Sequence, residues 1–363
     1  MATATAPHAS HTEKKKLIRR SQPDRSQQIR HAVQAAFVLL NAWLGIQFLL
    51  WVRFYERGGT GFYVSRPAGA EGWLPIAGLM NLKYFLSTGK VPPVHPAAMY
   101  LFGAFLLMSL LLKKAFCSWL CPVGTFSEAL AAFGRKIFGR NLHLPKGLDI
   151  PLRGLKYLLL AFFASFIGVM SAEALFGFMN TPYGLMADVK MLNFFREMGA
   201  TAAIVIVVLV ALSTMIQHFW CRYACPYGAL LGLVSFFSPV KIRRDASTCI
   251  DCAKCSHACP QQLPVDKLVN IRSVECNACM SCVAACPAQN ALQLALPPRP
   301  VSAPEPRWYR RKMGPVAMTC VLAYIFFGIV LYARVTNHWR SDLPREVYQQ
   351  LVPRVSELSH PGM

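Results

Sequence analysis

Residues 202–212 read AAIVIVVLVAL, and the apolar stretch around them runs from Ala200 to Phe219. A bilayer core of about 30 Å needs roughly 20 such residues in a helix. Four more stretches qualify or nearly do: Val33–Val52, Pro96–Leu112, Leu155–Ala172 and Gly314–Ala333, with Pro96–Leu112 the shortest. The alternative, a set of buried helices in a soluble core, fits runs of this length poorly. Composition agrees. Of 363 residues, 54% are hydrophobic and 15% charged, and mean hydropathy is +0.35. That profile excludes disorder, collagen and a small secreted disulfide scaffold. The expected fold is an α-helical integral membrane protein with about five transmembrane helices.

Loop charges give the orientation. Lys and Arg number 7, 7 and 12 in segments 1–32, 113–154 and 219–313, against 5, 2 and 3 in 53–93, 173–199 and 335–363. The N-terminus is therefore expected in the cytoplasm and the C-terminus in the periplasm. The first apolar run is too long for a signal peptide, and no small-residue cleavage site follows it. The formal charge of +21 could point to nucleic acid. The apolar runs assign it instead to an anionic membrane surface, with the cluster RWYRRK at 307–312 snorkelling at the cytoplasmic face.

The cysteines carry the chemistry. Residues 249–260 read CIDCAKCSHACP and residues 276–287 read CNACMSCVAACP. Both are C-x2-C-x2-C-x3-C-P, the run that binds [4Fe–4S] clusters in bacterial ferredoxins. A cubane needs four converging thiolates. The two-residue gaps aim three of them at one side, while the fourth reaches the other cluster. The expected ligand sets are Cys249, Cys252, Cys255 and Cys286 for a first cluster, and Cys276, Cys279, Cys282 and Cys259 for a second. Zinc sites favour separated pairs of cysteines and fit this spacing poorly. A reducing cytoplasmic location disfavours disulfides.

A second pattern comprises FCSWLCPVG, with Cys117 and Cys121, and WCRYACPYG, with Cys221 and Cys225. Each is aromatic-C-x3-C-P-x-G, each follows two apolar stretches, and the two lie 104 residues apart. This is an internal repeat, with its pseudo-twofold axis expected along the membrane normal. Pro122 and Pro226 suit the first position of a new helix. The four cysteines are candidates for one shared site: a further cluster, another metal or redox-active thiols. The bland alternative is four small residues holding tight turns. Cys320, alone in the last apolar run, reads as a small apolar filler. No histidine pair suits a haem. His95 and His218, near the ends of apolar runs, read as capping or interfacial residues. The outer loops, with Glu71, Tyr84, Asp188 and Lys190, offer material for a quinone pocket. No nucleotide-binding or nucleophile motif is present.

The stretches EGWLPIAGLMNLKYFLSTG, LLLKKAFCSWLCPVGT, WCRYACPYGAL and SPVKIRR, together with both cluster runs, make the chain resemble the membrane polyferredoxins of the NapH/NosR/FixG type, and most closely the YccM-like electron-transport proteins. The resemblance covers roughly residues 30–350. It implies an inner-membrane protein with two cytoplasmic [4Fe–4S] clusters that passes electrons. The flavin-bearing domain of the NosR type is missing, and the tail after the last span is too short for the periplasmic domain of the FixG type.

The resulting organisation is a disordered basic arm (1–30), a four-helix membrane domain of two repeats (31–240), a ferredoxin-like α+β module (241–296), a Pro/Arg-rich tether (297–313), a fifth span (314–334) and a periplasmic tail (335–363). The expected function is electron transfer between a quinol pool or cytoplasmic donor and a redox partner protein. A cupric or other metal reductase, or an assembly factor using the C-x3-C-P thiols, is the second reading. A redox-sensing scaffold is the third.

Overall fold

The computed structural model describes residues 18–21, 23–295 and 312–360. The first 17 residues of the basic arm and most of the 297–313 tether lie outside them. Two compact units result. One comprises Met1–Gln34, Met108–Cys121 and Leu231–Leu322; the other comprises Ala35–Leu107, Pro122–Leu230 and Ala323–Met363.

All five expected apolar stretches are helical, but their lengths differ. Ser26–Glu56, Gly147–Val169 and Pro315–Val335 are long and apolar enough to cross a membrane. Ala200–Met215 reaches that length only with Ala187–Arg196, from which it is bent by 80°. It ends before the expected Phe219 because Ile216 turns extended and His218 takes a left-handed conformation (φ 58°). Pro96–Leu112 is a 17-residue helix without a charged residue.

In the larger unit, the helix Pro122–Phe138 packs along Ala200–Met215. Gly134 permits the approach: a Cβ there would stand 1.7 Å from the Thr214 carbonyl oxygen. A core of Phe48, Trp51, Val52, Tyr55, Met186, Val189 and Tyr348 closes the other end of this unit. Beside it lies a buried polar cluster. Arg66 pairs with Glu71 at 2.9 Å and with Asp188 at 2.5 Å, and lies over the Trp51 and Tyr348 rings. His95 reaches Glu71 at 3.3 Å and the Gly184 carbonyl at 3.0 Å. Burial alone would raise the Glu71 pKa, but Arg66, His95 and Ser341 hold it down at about 2. His95 is thus a member of an ion cluster rather than a simple cap. The carboxylates considered for a quinone pocket are engaged by Arg66.

The smaller unit holds the cysteine-rich module. Strands Lys241–Arg244 and Leu292–Ala295 pair antiparallel, with Lys241 opposite Ala295 and Arg244 opposite Leu292. Short helices Lys254–His257 and Ser281–Ala285 pack between the two loops. Disorder is expected as far as residue 30, but the described residues of the arm are ordered, and a helix begins at Ser26. Arg19 bridges to Ala288, and the Arg20 amide donates to the Pro287 carbonyl at 3.3 Å. A new backbone ladder holds these residues, so their polar composition does not leave them unstructured.

Candidate iron–sulfur site

The two cysteine runs fold alike. In 249–255, Asp251 and Ala253 have positive φ (54° and 57°); in 276–282, Ala278 and Met280 do (51° and 60°). These positions flank the middle cysteine of each run. A non-glycine residue there costs about 1–2 kcal/mol and persists only where the surroundings enforce it. The reversal turns backbone amides toward the sulfurs. Hydrogen bonds from Ala278 act on Cys276, and those from Gln261 and Leu263 act on Cys259.

The sulfurs fall into two groups that cross between the runs. Cys259 feels the charge of Cys279 and Cys276, and Cys282 that of Cys279, Cys276 and Cys259 and, from the other group, Cys255. Cys255 feels Cys286 and Cys249, and Cys286 feels Cys249 and Cys252. Cys259, Cys276, Cys279 and Cys282 line one cavity, whose remaining wall includes Ile242, Leu263, Val265, Ile271 and Met280. Burial pushes the Cys259 thiol up to about 12 and Cys282 well above its ordinary value. Four thiolates in an apolar cavity need a cationic centre, which an iron–sulfur core supplies. Among the described residues, no three Cys, His, Asp or Glu side chains are arranged to hold a single metal ion. The four cysteines converging on one apolar cavity are the donor set that an iron–sulfur cluster takes. The groups differ in exposure: Cys276, Cys279 and Cys282 are buried, whereas Cys252 is exposed.

The two C-x3-C-P segments share a turn. The Cys121 amide donates to the Phe116 carbonyl (2.9 Å), and the Cys225 amide to the Trp220 carbonyl (3.0 Å), each five residues back. Such π-type turns are frequent at functional sites. Cys121 and Cys225 then stand directly before helices Pro122–Phe138 and Pro226–Ser235, as the prolines predict. The Gly228 amide donates to Cys225 Sγ at 3.2 Å, so this sulfur caps its helix. All four of these cysteines are half-buried. Cys320 is exposed on its helix and fills no core space.

The first segment touches the cysteine module directly. Ser118 Oγ donates to the Asn277 carbonyl at 2.6 Å and Trp119 Nε1 to the Ala278 carbonyl at 3.2 Å. Gln27 Nε2 donates to the Cys279 carbonyl at 3.0 Å. Sequence reasoning missed these clamps, because no motif marks a side chain that binds a remote carbonyl.

A "4Fe-4S dicluster domain" model matches residues 241–287. A "4Fe-4S binding domain" model matches twice, at 94–141 and 198–245, with the 104-residue offset of the cysteine pairs. The chain is 50% identical over 331 residues to YccM of Escherichia coli (strain K12), which is named for electron transport, covering 91% of each protein. It is 29% identical to the ferredoxin-type protein NapH of the same organism, over 53% of this chain and 66% of NapH. It is 28% identical to the regulatory protein NosR of Stutzerimonas stutzeri, over 50% of this chain and 25% of NosR. No solved structure matches it significantly. None of these relatives' names speaks of copper, so the metal-reductase reading gains no support.

Proposed function

We propose, from the premise that this chain belongs to the family of YccM, iron–sulfur electron-transport proteins related to NapH and NosR, that it carries electrons between a quinol pool or cytoplasmic donor and a redox partner at the inner membrane. The reading uses two [4Fe–4S] clusters. Cys249, Cys252, Cys255 and Cys286 hold one; Cys259, Cys276, Cys279 and Cys282 hold the other. The observation that carries it is the pair of loops with matched left-handed residues and crossing cysteine groups. Cluster chemistry is one-electron transfer without bond making. The chain's own residues fix the sulfurs, exclude water from the second group through Ile242, Leu263 and Ile271, and aim backbone amides at the thiolates. The C-x3-C-P pairs are proposed as further redox or metal positions, supported by the two matches to the 4Fe-4S binding model.

Anaerobic purification with iron and sulfide analysis tests the reading. About eight iron atoms per chain are expected from two filled [4Fe–4S] sites, and more if the C-x3-C-P cysteines bind a further cluster. A colourless, zinc-loaded protein overturns it. Cytoplasmic clusters and a periplasmic C-terminus are proposed from the loop charges. A reporter active only in the periplasm should work when fused after Arg340 and fail when fused within 288–300; the reverse pattern overturns this orientation.

A further inference from the structure

Lys113 follows the helix Pro96–Leu112 and is fully buried (0% exposed). Its backbone is left-handed (φ 61°), and its amide donates to Ser238 Oγ at 3.0 Å. The side chain runs to the cysteine module. Nζ donates to the carbonyls of Arg272 (3.2 Å) and Ser273 (3.3 Å), directly before the loop that begins at Cys276. The charges acting on Lys113 are Lys241 and Lys114, both cations, and Cys276. Burial, and then the two cations, lower the Lys113 pKa to about 8; a buried ammonium is costly unless an anion answers it, and the Cys276 thiolate of a bound cluster would be that anion. The neighbouring Lys114 faces Glu275 at 3.6 Å, so that pair is close to neutral. The other cysteine group differs. The cation acting on Cys286 is Arg20, which is partly exposed and paired with Asp24 at 2.9 Å.

We infer that Lys113 is the counter-charge of the cluster held by Cys259, Cys276, Cys279 and Cys282, and raises its midpoint potential. The inference rests on the ligand sets proposed above. Reduction adds one electron from the donor, or from dithionite in a titration; no bond forms or breaks, and no proton is required. With four thiolates the cluster passes from dianion to trianion. A fixed cation beside it stabilises the trianion more, and the effect is large because the site is dry.

The test is an EPR-monitored redox titration of the full-length chain, purified anaerobically in detergent, with iron and sulfide assayed on every sample. For Lys113→Met, one midpoint should fall so that the reduced-to-oxidised ratio of that cluster at fixed potential drops about tenfold, roughly 59 mV for a one-electron couple. The other midpoint should stay, and Lys113→Arg should restore the first. Arg20→Gln should move the other cluster, by less. Glu275→Gln leaves Lys113 in place and removes a negative charge from the same cluster, so it should shift that midpoint upward. It also keeps the question decidable if Lys113→Met fails to retain iron. Unmoved midpoints in both Lys113→Met and Glu275→Gln, equal shifts of both clusters, or no rescue by arginine overturn the inference. Wild-type protein without iron overturns the functional reading instead.

Discussion

The two C-x3-C-P repeats place different side chains at the same two positions and use them on different targets. In the first, Ser118 and Trp119 donate to the carbonyls of Asn277 and Ala278 in a cysteine loop. In the second, 104 residues on, Arg222 and Tyr223 donate to the carboxylate of Asp149, at 3.0 and 2.6 Å. The turn is shared, down to the hydrogen bond spanning five residues, but its use has diverged. The preceding helices have diverged too. In Pro96–Leu112, Ala104 and Met108 are fully buried, while in Ala200–Met215, Ile204 and Val207 are 63% and 66% exposed. Their N-terminal ends differ likewise. His95 enters the Arg66–Glu71 cluster, and Glu71 accepts from the Ala98 amide at 3.3 Å; the matching position is Gly199, which has no side chain to offer. The lesson is that a duplicated backbone turn is a neutral scaffold. One copy serves the redox loop; the other serves the packing of the membrane helices.

Substitutions can break this contrast, beginning with the most severe. Asp149→Ala leaves the Arg222 guanidinium buried without its carboxylate, which costs about 3–5 kcal/mol. The protein should accumulate poorly and melt early in detergent, while any recovered fraction keeps its iron content. Gly134→Ala drives a methyl into the Thr214 backbone where the second repeat packs. A loss of about 3 kcal/mol is expected. Gly154→Ala, inside a helix with nothing within 4 Å, is the matched control and should melt at or slightly above wild type, since alanine is favoured there by about 0.5–1 kcal/mol.

At the first repeat the effects are smaller and of another kind. Trp119→Phe and Ser118→Ala each remove one hydrogen bond to a cysteine loop, worth about 1 kcal/mol. They should broaden or shift the EPR signal of one cluster and speed its loss in air, with little change in melting temperature. If they behave like Asp149→Ala, the division of labour is wrong. The smallest effect concerns pH at the N-terminal end of the helix Pro96–Leu112. Glu71 has its pKa lowered from 4.5 to about 2. A depressed carboxylate contributes stability that is complete above its unfolded value and lost as pH falls through the folded one. The melting difference between wild type and Glu71→Gln should therefore be flat only over about pH 5–6, shrink below about 4.5 as Glu71 protonates, and shrink again above about 6.5, where His95, whose pKa Glu71 raises, loses its proton. A difference that stays constant up to about pH 8 would show that His95 is not coupled to Glu71.

The sequence alone determined the apolar helices, the repeat and the cysteine runs. Each rests on local spacing: about 20 apolar residues for a bilayer, and two-residue gaps for a cluster loop. It even placed Pro122 and Pro226 at helix starts, because proline fixes φ and needs no amide partner there. Tertiary structure decided what spacing cannot encode. The burial of Pro96–Leu112 and exposure of Ala200–Met215 are invisible in two uncharged, mostly apolar runs, since a helix inside protein and one facing lipid use the same residues. Glu71, His95 and Asp188 look like scattered polar residues until distant segments bring Arg66 among them. Lys113 reads as one of a cationic pair at the membrane surface. Only the folded chain turns it inward onto the carbonyls of Arg272 and Ser273, because the answering charge belongs to a cysteine loop some 160 residues later.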